Sequence, residues 1–575
     1  MTVISRRTGY VLLFSFVLLS IAMRYPLVDH ERNQADSYFI HYLSQSILDS
    51  DRALWTFSPL SYFGYYPVSY PSGAPFLLAE LSELTGASVE LSILLSGMIL
   101  SLLFVLGAFA LIREFVHRID LVFAATFFAI LAPKIIDTTY WCATARGPFI
   151  VLMVLVVWAM FRASRTRNRL LTYAAILMGA GCFALHHMAV VFLLFGLAYV
   201  LAVVLSARIS RQFPAHRTRY SAVFVSVVAV AIGIASFLVY SLPGRLVRAT
   251  FEEAGYFDFS PQIASTITNI LVSYTGQIGV ILPIALLGAI GVIQKSAVVG
   301  TRSFFLLTAL IAFIPLLGNS VYVSMILAPF VSILAMSWFS RGFRNGRLSR
   351  LKSCAVVVLV LSSVALPLGQ MQRWNSLEYL SSDRVEVENQ VFNDALYVEW
   401  NENGQYIMSN ALVMRLEVGA MTGADFLGSG FFAALNGDID AADLKGQFRL
   451  SESEFPENLY SWFYYSDDIY IDYFIIGVMI LGADYTYSLT ALDGDSYDYM
   501  LTHSRLTVLI DNRWSSEFVN QYGQYAARFP DQLRNAEGIV YSYGTSVAVS
   551  LSSYAYYESE RVTLYLVELP HGRVS

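Results

Sequence analysis

Ala35-Asp36-Ser37-Tyr38-Phe39-Ile40-His41 lies in a hydrophilic segment, residues 24–90, that separates the first two apolar runs of the chain. The acid heads an amphipathic turn. Phe39, Leu43 and Ile47 recur at i, i+4 and i+8 with Ile40 beside them, the spacing of a helix able to lie along an interface. An aromatic, proline-rich stretch follows, Tyr62-Phe63-Gly64-Tyr65-Tyr66-Pro67-Val68-Ser69-Tyr70-Pro71-Ser72-Gly73-Ala74-Pro75, and then a run over 77–86. A loop of this length and polarity between two apolar runs predicts chemistry at a membrane surface rather than a plain bundle of spans.

The surrounding chain is apolar throughout. With 575 residues, 56% hydrophobic and 14% charged, and a mean hydropathy of +0.55, it is too apolar for a soluble protein of its size. Runs near bilayer length occur at 8–23, 91–112, 119–133, 147–162, 220–240, 277–294, 303–317, 321–340 and 353–369. The run 170–207 is about twice one span, and His186-His187 near its middle divides it in two, which predicts eleven spans. Basic residues cluster in alternate gaps: Arg6 and Arg7; Arg113 and Arg118; Arg162, Arg165, Arg167 and Arg169; Arg208, Arg211, Arg217 and Arg219; Lys295 and Arg302; Arg341, Arg344, Arg347, Arg350 and Lys352. The positive-inside rule makes those gaps cytoplasmic, with the N-terminus inside and the C-terminal tail outside. Ser5-Arg6-Arg7 before an apolar run also has the look of an export signal, but a retained first span with a positive inner flank fits the ten further spans better.

The pattern changes after Gly369. Residues 370–575 carry 29 Asp plus Glu against 11 Lys plus Arg, whereas the preceding part has 14 acids and 26 bases. An acidic exterior excludes nucleic acid as a natural partner, because phosphate backbones need a basic footprint. β-rich runs at 505–510, 538–541, 546–549 and 561–567, with helical stretches at 410–422 and 515–528, predict an α+β domain. The apolar stretch 473–482 is only ten residues long between Asp472 and Asp484, so it reads as a buried strand. Twenty of the 36 tyrosines fall in the tail, where they suit half-buried strands and can also stack on sugars. Cys142, Cys182 and Cys354 are the only cysteines, so there is no disulfide framework and no clustered thiolate site. The expected architecture is a polytopic α-helical membrane domain over 1–369, with its first outer loop at 24–90, followed by an acidic extracytoplasmic α+β domain over 370–575.

The order acid, aromatic, His, amphipathic helix, then Tyr70-Pro71-Ser72-Gly73 before the second span resembles the first outer loop of the GT-C superfamily of membrane glycosyltransferases. These include dolichyl- and polyprenyl-phosphate-sugar-dependent transferases and the archaeal oligosaccharyltransferase catalytic subunits. The resemblance implies that Asp36 is the catalytic base, or part of a metal and acceptor site. Such a carboxylate takes the proton of a weak nucleophile as a sugar leaves its lipid phosphate. A departing phosphate calls for a cation, and Arg146 in the outer segment 137–148 is the first candidate, with Arg245 and Arg248 as alternatives. His186 and His187 are candidates to bind substrate phosphate or a metal, or to cap a tight helical hairpin. Asp137 is a candidate match to the second-loop acid that binds metal in the oligosaccharyltransferases, the ion being magnesium or manganese. Their Trp-Trp-Asp-Tyr-Gly element has no counterpart in the tail, and Thr266-Ile267-Thr268-Asn269 has Asn where their Thr-Ile-x-Glu element has Glu. The departures favour transfer of one sugar from a polyprenyl-phosphate carrier, within the plasma membrane, to a protein, lipid or glycan acceptor outside. Two other classes fit the outline: a lipid-linked glycan flippase, which would place ionisable residues mid-span, and a non-catalytic surface assembly protein that binds glycan. Low lysine and the acidic exterior suit an archaeon in salty surroundings.

Overall fold

A computed structural model describes residues 5–25, 31, 34–53, 71–212, 263–295, 320–342 and 350–375, scattered positions between 302 and 310, position 420, and six strands of the tail. The chain divides into two compact units, one of Met1–Glu31 with Ile93–Trp374, the other of Arg32–Ser92 with Asn375–Ser575.

The first unit is helical. Helix α1 (Arg6–Ala22) starts at Ser5, whose hydroxyl accepts from the Thr8 N–H at 3.1 Å. The first loop contributes α2 (Gln34–Ser50) and α3 (Gly73–Thr85) to the second unit, and these two helices pack on each other. Gly86 closes α3 at φ 66°, a left-handed cap that glycine adopts at no steric cost. Helix α4 (Val89–Phe115) is long and apolar enough to cross a bilayer, and so is α7 (Arg146–Thr166). Between them lie α5 (Ile119–Ile130) and the one-turn α6 (Pro133–Asp137), opened by proline at its first position.

The basic turn after α7 is built locally. Arg167 takes φ 54°, and the Asn168 side chain then caps α8 (Arg169–Leu185) by accepting from Leu170 N–H at 2.9 Å. The expected division of the run 170–207 is present at His186. A 3₁₀ turn, His187–Val190, separates α8 from α9 (Val191–Gln212).

The expected single span at 277–294 takes a different form. Helix α10 (Ile263–Ile278) and α11 (Leu282–Lys295) meet at a bend of 109°. Gly279 makes the bend at φ 109°, a conformation closed to residues with a Cβ, and Pro283 in the first turn of α11 has no N–H to continue the α10 ladder. Apolar composition extends through both helices and hid the break. Helix α12 (Ser320–Gly342) packs on α5, α6, α10 and α11 and is buried around most of its circumference, as an apolar helix without a polar stripe must be. Helix α13 (Arg350–Asn375) completes the described bundle. Large apolar side chains on α4 and α8, among them Leu102, Leu106, Leu170 and Ile176, are exposed, as befits faces turned to lipid.

In the tail, β1 (Ile407–Ser409), β3 (Arg505–Asp511), β5 (Ser552–Glu558) and β6 (Val562–Glu568) form a sheet in the order β1-β3-β6-β5. β1 runs parallel to β3, the other pairs are antiparallel, and a bulge interrupts β5 between Ala555 and Tyr557. β2 (Tyr487–Ser488) pairs with β4 (Ala548–Val549). The expected strands at 505–510 and 561–567 are present and β4 falls within 546–549. The stretches 410–419, 421–422, 473–482, 515–528, 538–541 and 220–240 lie outside the described residues.

Candidate active site

Three backbone constraints fix the segment that joins α6 to α7. A Cβ on Gly97 of α4 would meet the Thr139 carbonyl oxygen at 2.7 Å, and one on Gly147 of α7 would meet that of Thr138 at 2.8 Å. The chain therefore passes between two helices at a distance only glycine allows. Trp141 turns it back at φ 29°, and its indole is buried. Thr144 Oγ1 donates to the Thr138 carbonyl at 3.0 Å and accepts from the Gly147 N–H at 3.1 Å, which ties the loop to the start of α7.

Arg24, just past α1, anchors the same segment from inside. Its Nε donates to Thr139 Oγ1 at 2.7 Å, and Nη1 donates to the Ser20 carbonyl and hydroxyl at 2.8 and 2.9 Å. The side chain is 1% exposed. Burial pulls the guanidinium down to about 9, still a cation at neutral pH. Its hydrogen bonds among the described residues go to neutral oxygens, and Ser20 also accepts from Ser101 at 2.7 Å.

Arg146 opens α7, half-buried, with its guanidinium 5.1 Å from the centre of the Tyr322 ring, a cation over a π face. Tyr322, in the first turn of α12, is also 5.7 Å from the ring of His186, which lies 5.7 Å from Phe149. Two residues singled out from sequence, Arg146 and His186, thus share one aromatic neighbour. At this helix end Gly147 N–H is taken by Thr144 and Pro148 has none, so the guanidinium rather than a row of amides supplies the positive character. His186 performs the capping role: its Nδ1 accepts from the Met188 N–H at 3.0 Å, so the neutral ring carries its proton on Nε2. The described part of His187 is its backbone, in the 3₁₀ turn.

Asp137 ends α6, and its carboxylate pairs with Lys134 Nζ at 2.5 Å. A metal ligand needs that carboxylate, and among the described residues no three His, Cys, Asp or Glu side chains converge. Among the described residues Asp137 is therefore engaged by a lysine rather than by an ion-binding cluster. Asp36 falls in the first turn of α2, in the second unit. Arg245 and Arg248 lie outside the described residues. Sequence reasoning passed over Tyr322, Arg24 and Lys134. Arg24 alone carried a signal, as a charge set directly against the end of an apolar run.

No protein-family model matches the chain, and no curated protein matches it. Among solved structures it is similar to the Archaeoglobus fulgidus oligosaccharyltransferase tethered with an acceptor peptide containing the NVT sequon, at 12% identity over 80% of this chain and 68% of that one, with a TM-score of 0.50. The same organism's oligosaccharyltransferase AglB, in complex with an inhibitory peptide and a dolichol-phosphate, matches at 12% identity over 88% and 69%, TM-score 0.48. ArnT from Cupriavidus metallidurans in the apo state matches at 16% identity over 98% of both chains, TM-score 0.43. The likeness is one of fold: the chain shares the fold of the Archaeoglobus fulgidus oligosaccharyltransferase.

Proposed function

We propose that this chain is an inverting GT-C-type glycosyltransferase that moves a single sugar, a hexose or similar unit, from a polyprenyl- or dolichyl-phosphate carrier to an acceptor outside the membrane. The observation that carries the reading is Arg146, a half-buried cation held over Tyr322 at the head of α7, beside a loop pinned by Gly97, Gly147 and Arg24. A rigid cation suits a leaving group whose negative charge grows as the bond breaks, because no reorganisation is needed when that charge appears.

In this reading Asp36 takes the proton from the acceptor's attacking atom while that atom bonds to the anomeric carbon. The bond from that carbon to the phosphate oxygen breaks on the opposite face, and its electron pair leaves with the lipid phosphate. Arg146 balances that charge. His186, His187, Arg245 and Arg248 are further candidate contacts to the phosphate. The acidic, tyrosine-rich tail is the candidate acceptor-binding part, and the multi-pass chain keeps that tail outside the plasma membrane.

The test is sugar transfer by purified full-length protein from a labelled polyprenyl-phosphate sugar. Asp36→Asn should lower turnover by about 10²- to 10⁴-fold with the protein still folded, the range expected for losing a general base. Full activity in that variant would remove Asp36 from the role. Lack of turnover with any lipid-phosphate sugar, together with movement of lipid-linked glycan across vesicles, would make the protein a flippase.

A further inference from the structure

At the opposite helix ends from Arg146, one buried carboxylate gathers three guanidinium groups. Glu114 in the last turn of α4, only 4% exposed at its side chain, lies 3.0 Å from Arg165, 3.4 Å from Arg162 and 3.6 Å from Arg302. The arginine side chains are 45%, 40% and 30% exposed, so their outer faces reach solvent. Three cations around one anion leave an excess of two positive charges. Burial holds the Arg302 guanidinium below its ordinary value, with Glu114 opposing that shift and Arg165 adding to it.

Aromatic rings adjoin the cluster. Phe115 follows Glu114, Phe161 precedes Arg162, and Phe305 lies three residues after Arg302. Their rings stand 4.8 Å apart in the pairs Phe115–Phe161 and Phe161–Phe305. Low-dielectric packing on one side leaves the excess charge weakly screened toward the bundle and directs it outward. Nor do neighbouring segments supply compensating acids. The gaps that the positive-inside pattern assigns to the cytoplasm hold 19 Lys plus Arg, against Glu114 and Asp120 as their only acids, and Asp120 is paired with Arg118.

We propose that the Glu114, Arg162, Arg165 and Arg302 cluster is a binding site for the headgroup of an anionic phospholipid in the cytoplasmic leaflet. Glu114 lies within 3.6 Å of all three guanidinium groups and accepts a hydrogen bond from Arg162 at 3.4 Å, and a lipid phosphate accepts from the N–H groups on their outer edges, the geometry in which guanidinium outperforms ammonium. Basic pockets between membrane helices on the cytoplasmic side take acidic headgroups by the same attraction. The site is separate from the transfer chemistry and does not depend on it.

The test reconstitutes full-length protein into phosphatidylcholine membranes with and without phosphatidylglycerol, and counts retained lipids by native mass spectrometry. Wild type should retain phosphatidylglycerol over phosphatidylcholine by roughly tenfold, with the preference fading at high salt. Removing arginines alone would strand Glu114, so the informative variant is E114Q/R162Q/R165Q, which neutralises both signs. It should keep the elution position and unfolding midpoint of wild type and lose the preference. Equal retention of both lipids by wild type, or an unchanged preference in the triple variant, would overturn the assignment. So would an equal loss in R341Q/R344Q, which would mark a diffuse basic face. Displacement by inorganic phosphate at concentrations that leave membrane charge unscreened would make it a free-phosphate site instead.

Discussion

Arg24 separates stability from specificity at a single position. A buried cation whose hydrogen bonds go to neutral oxygens stays charged at a cost, as its lowered ionisation indicates. Its partners also have other bonds: Thr139 Oγ1 donates to the Ile135 carbonyl at 2.6 Å, and Ser20 accepts from Ser101. Arg24→Met should therefore change unfolding stability by no more than about 1 kcal/mol, while lowering sugar transfer as the Thr139 segment loosens. Thermal unfolding in detergent beside the transfer assay separates the two effects, and a loss above about 3 kcal/mol would make Arg24 a structural anchor instead. The glycines behave oppositely. Gly97→Ala and Gly147→Ala each drive a methyl group against a backbone carbonyl that cannot rotate away, and each should cost about 1–3 kcal/mol in the same measurement.

Elements differ in how much of them the sequence could disclose. The split at His186 was legible because 38 apolar residues exceed one bilayer crossing and a polar pair marks the middle. The α10–α11 bend was not, because hydropathy averages over a window and carries no information about φ at Gly279. Alanine at that position would be forced toward helical φ and straighten the corner. Gly279→Ala should destabilise the protein by about 1–2 kcal/mol, and a spin-label pair on α10 and α11 should move apart. An unchanged distance distribution would show that Pro283 alone makes the corner. The site follows the same division. Asp36 and Arg146 could be picked out as charges in outer segments, yet the partnership of Arg146 with Tyr322 joins positions far apart in the chain, and no local pattern encodes such a contact. β5 was missed for a related reason, since Ser552-Ser553-Tyr554 lacks the alternation that marked β3 and β6, and the bulge breaks its period.

For the whole molecule, charge is divided more sharply than hydropathy. The tail holds a net −18 and the preceding part a net +12. Self-repulsion within the tail opposes its compact state and weakens as salt shortens the screening length to about 8 Å near physiological ionic strength and about 3 Å at 1 M. The unfolding midpoint of the full chain should therefore rise with sodium chloride across that range. A midpoint that falls would mean attractive ion pairs outweigh the repulsion.

The Arg24 to Thr139 hydrogen bond joins positions 115 residues apart, which ties the first apolar helix to a segment that does not yet exist when that helix is made. At synthesis rates of about 5–20 residues per second, some 6–23 s pass before Thr139 can accept that bond. During that interval the guanidinium lacks the Thr139 oxygen and must find water or other polar partners, so the end of α1 is held only provisionally. Its final place is set late, when the segment between α6 and α7 folds back over Arg24.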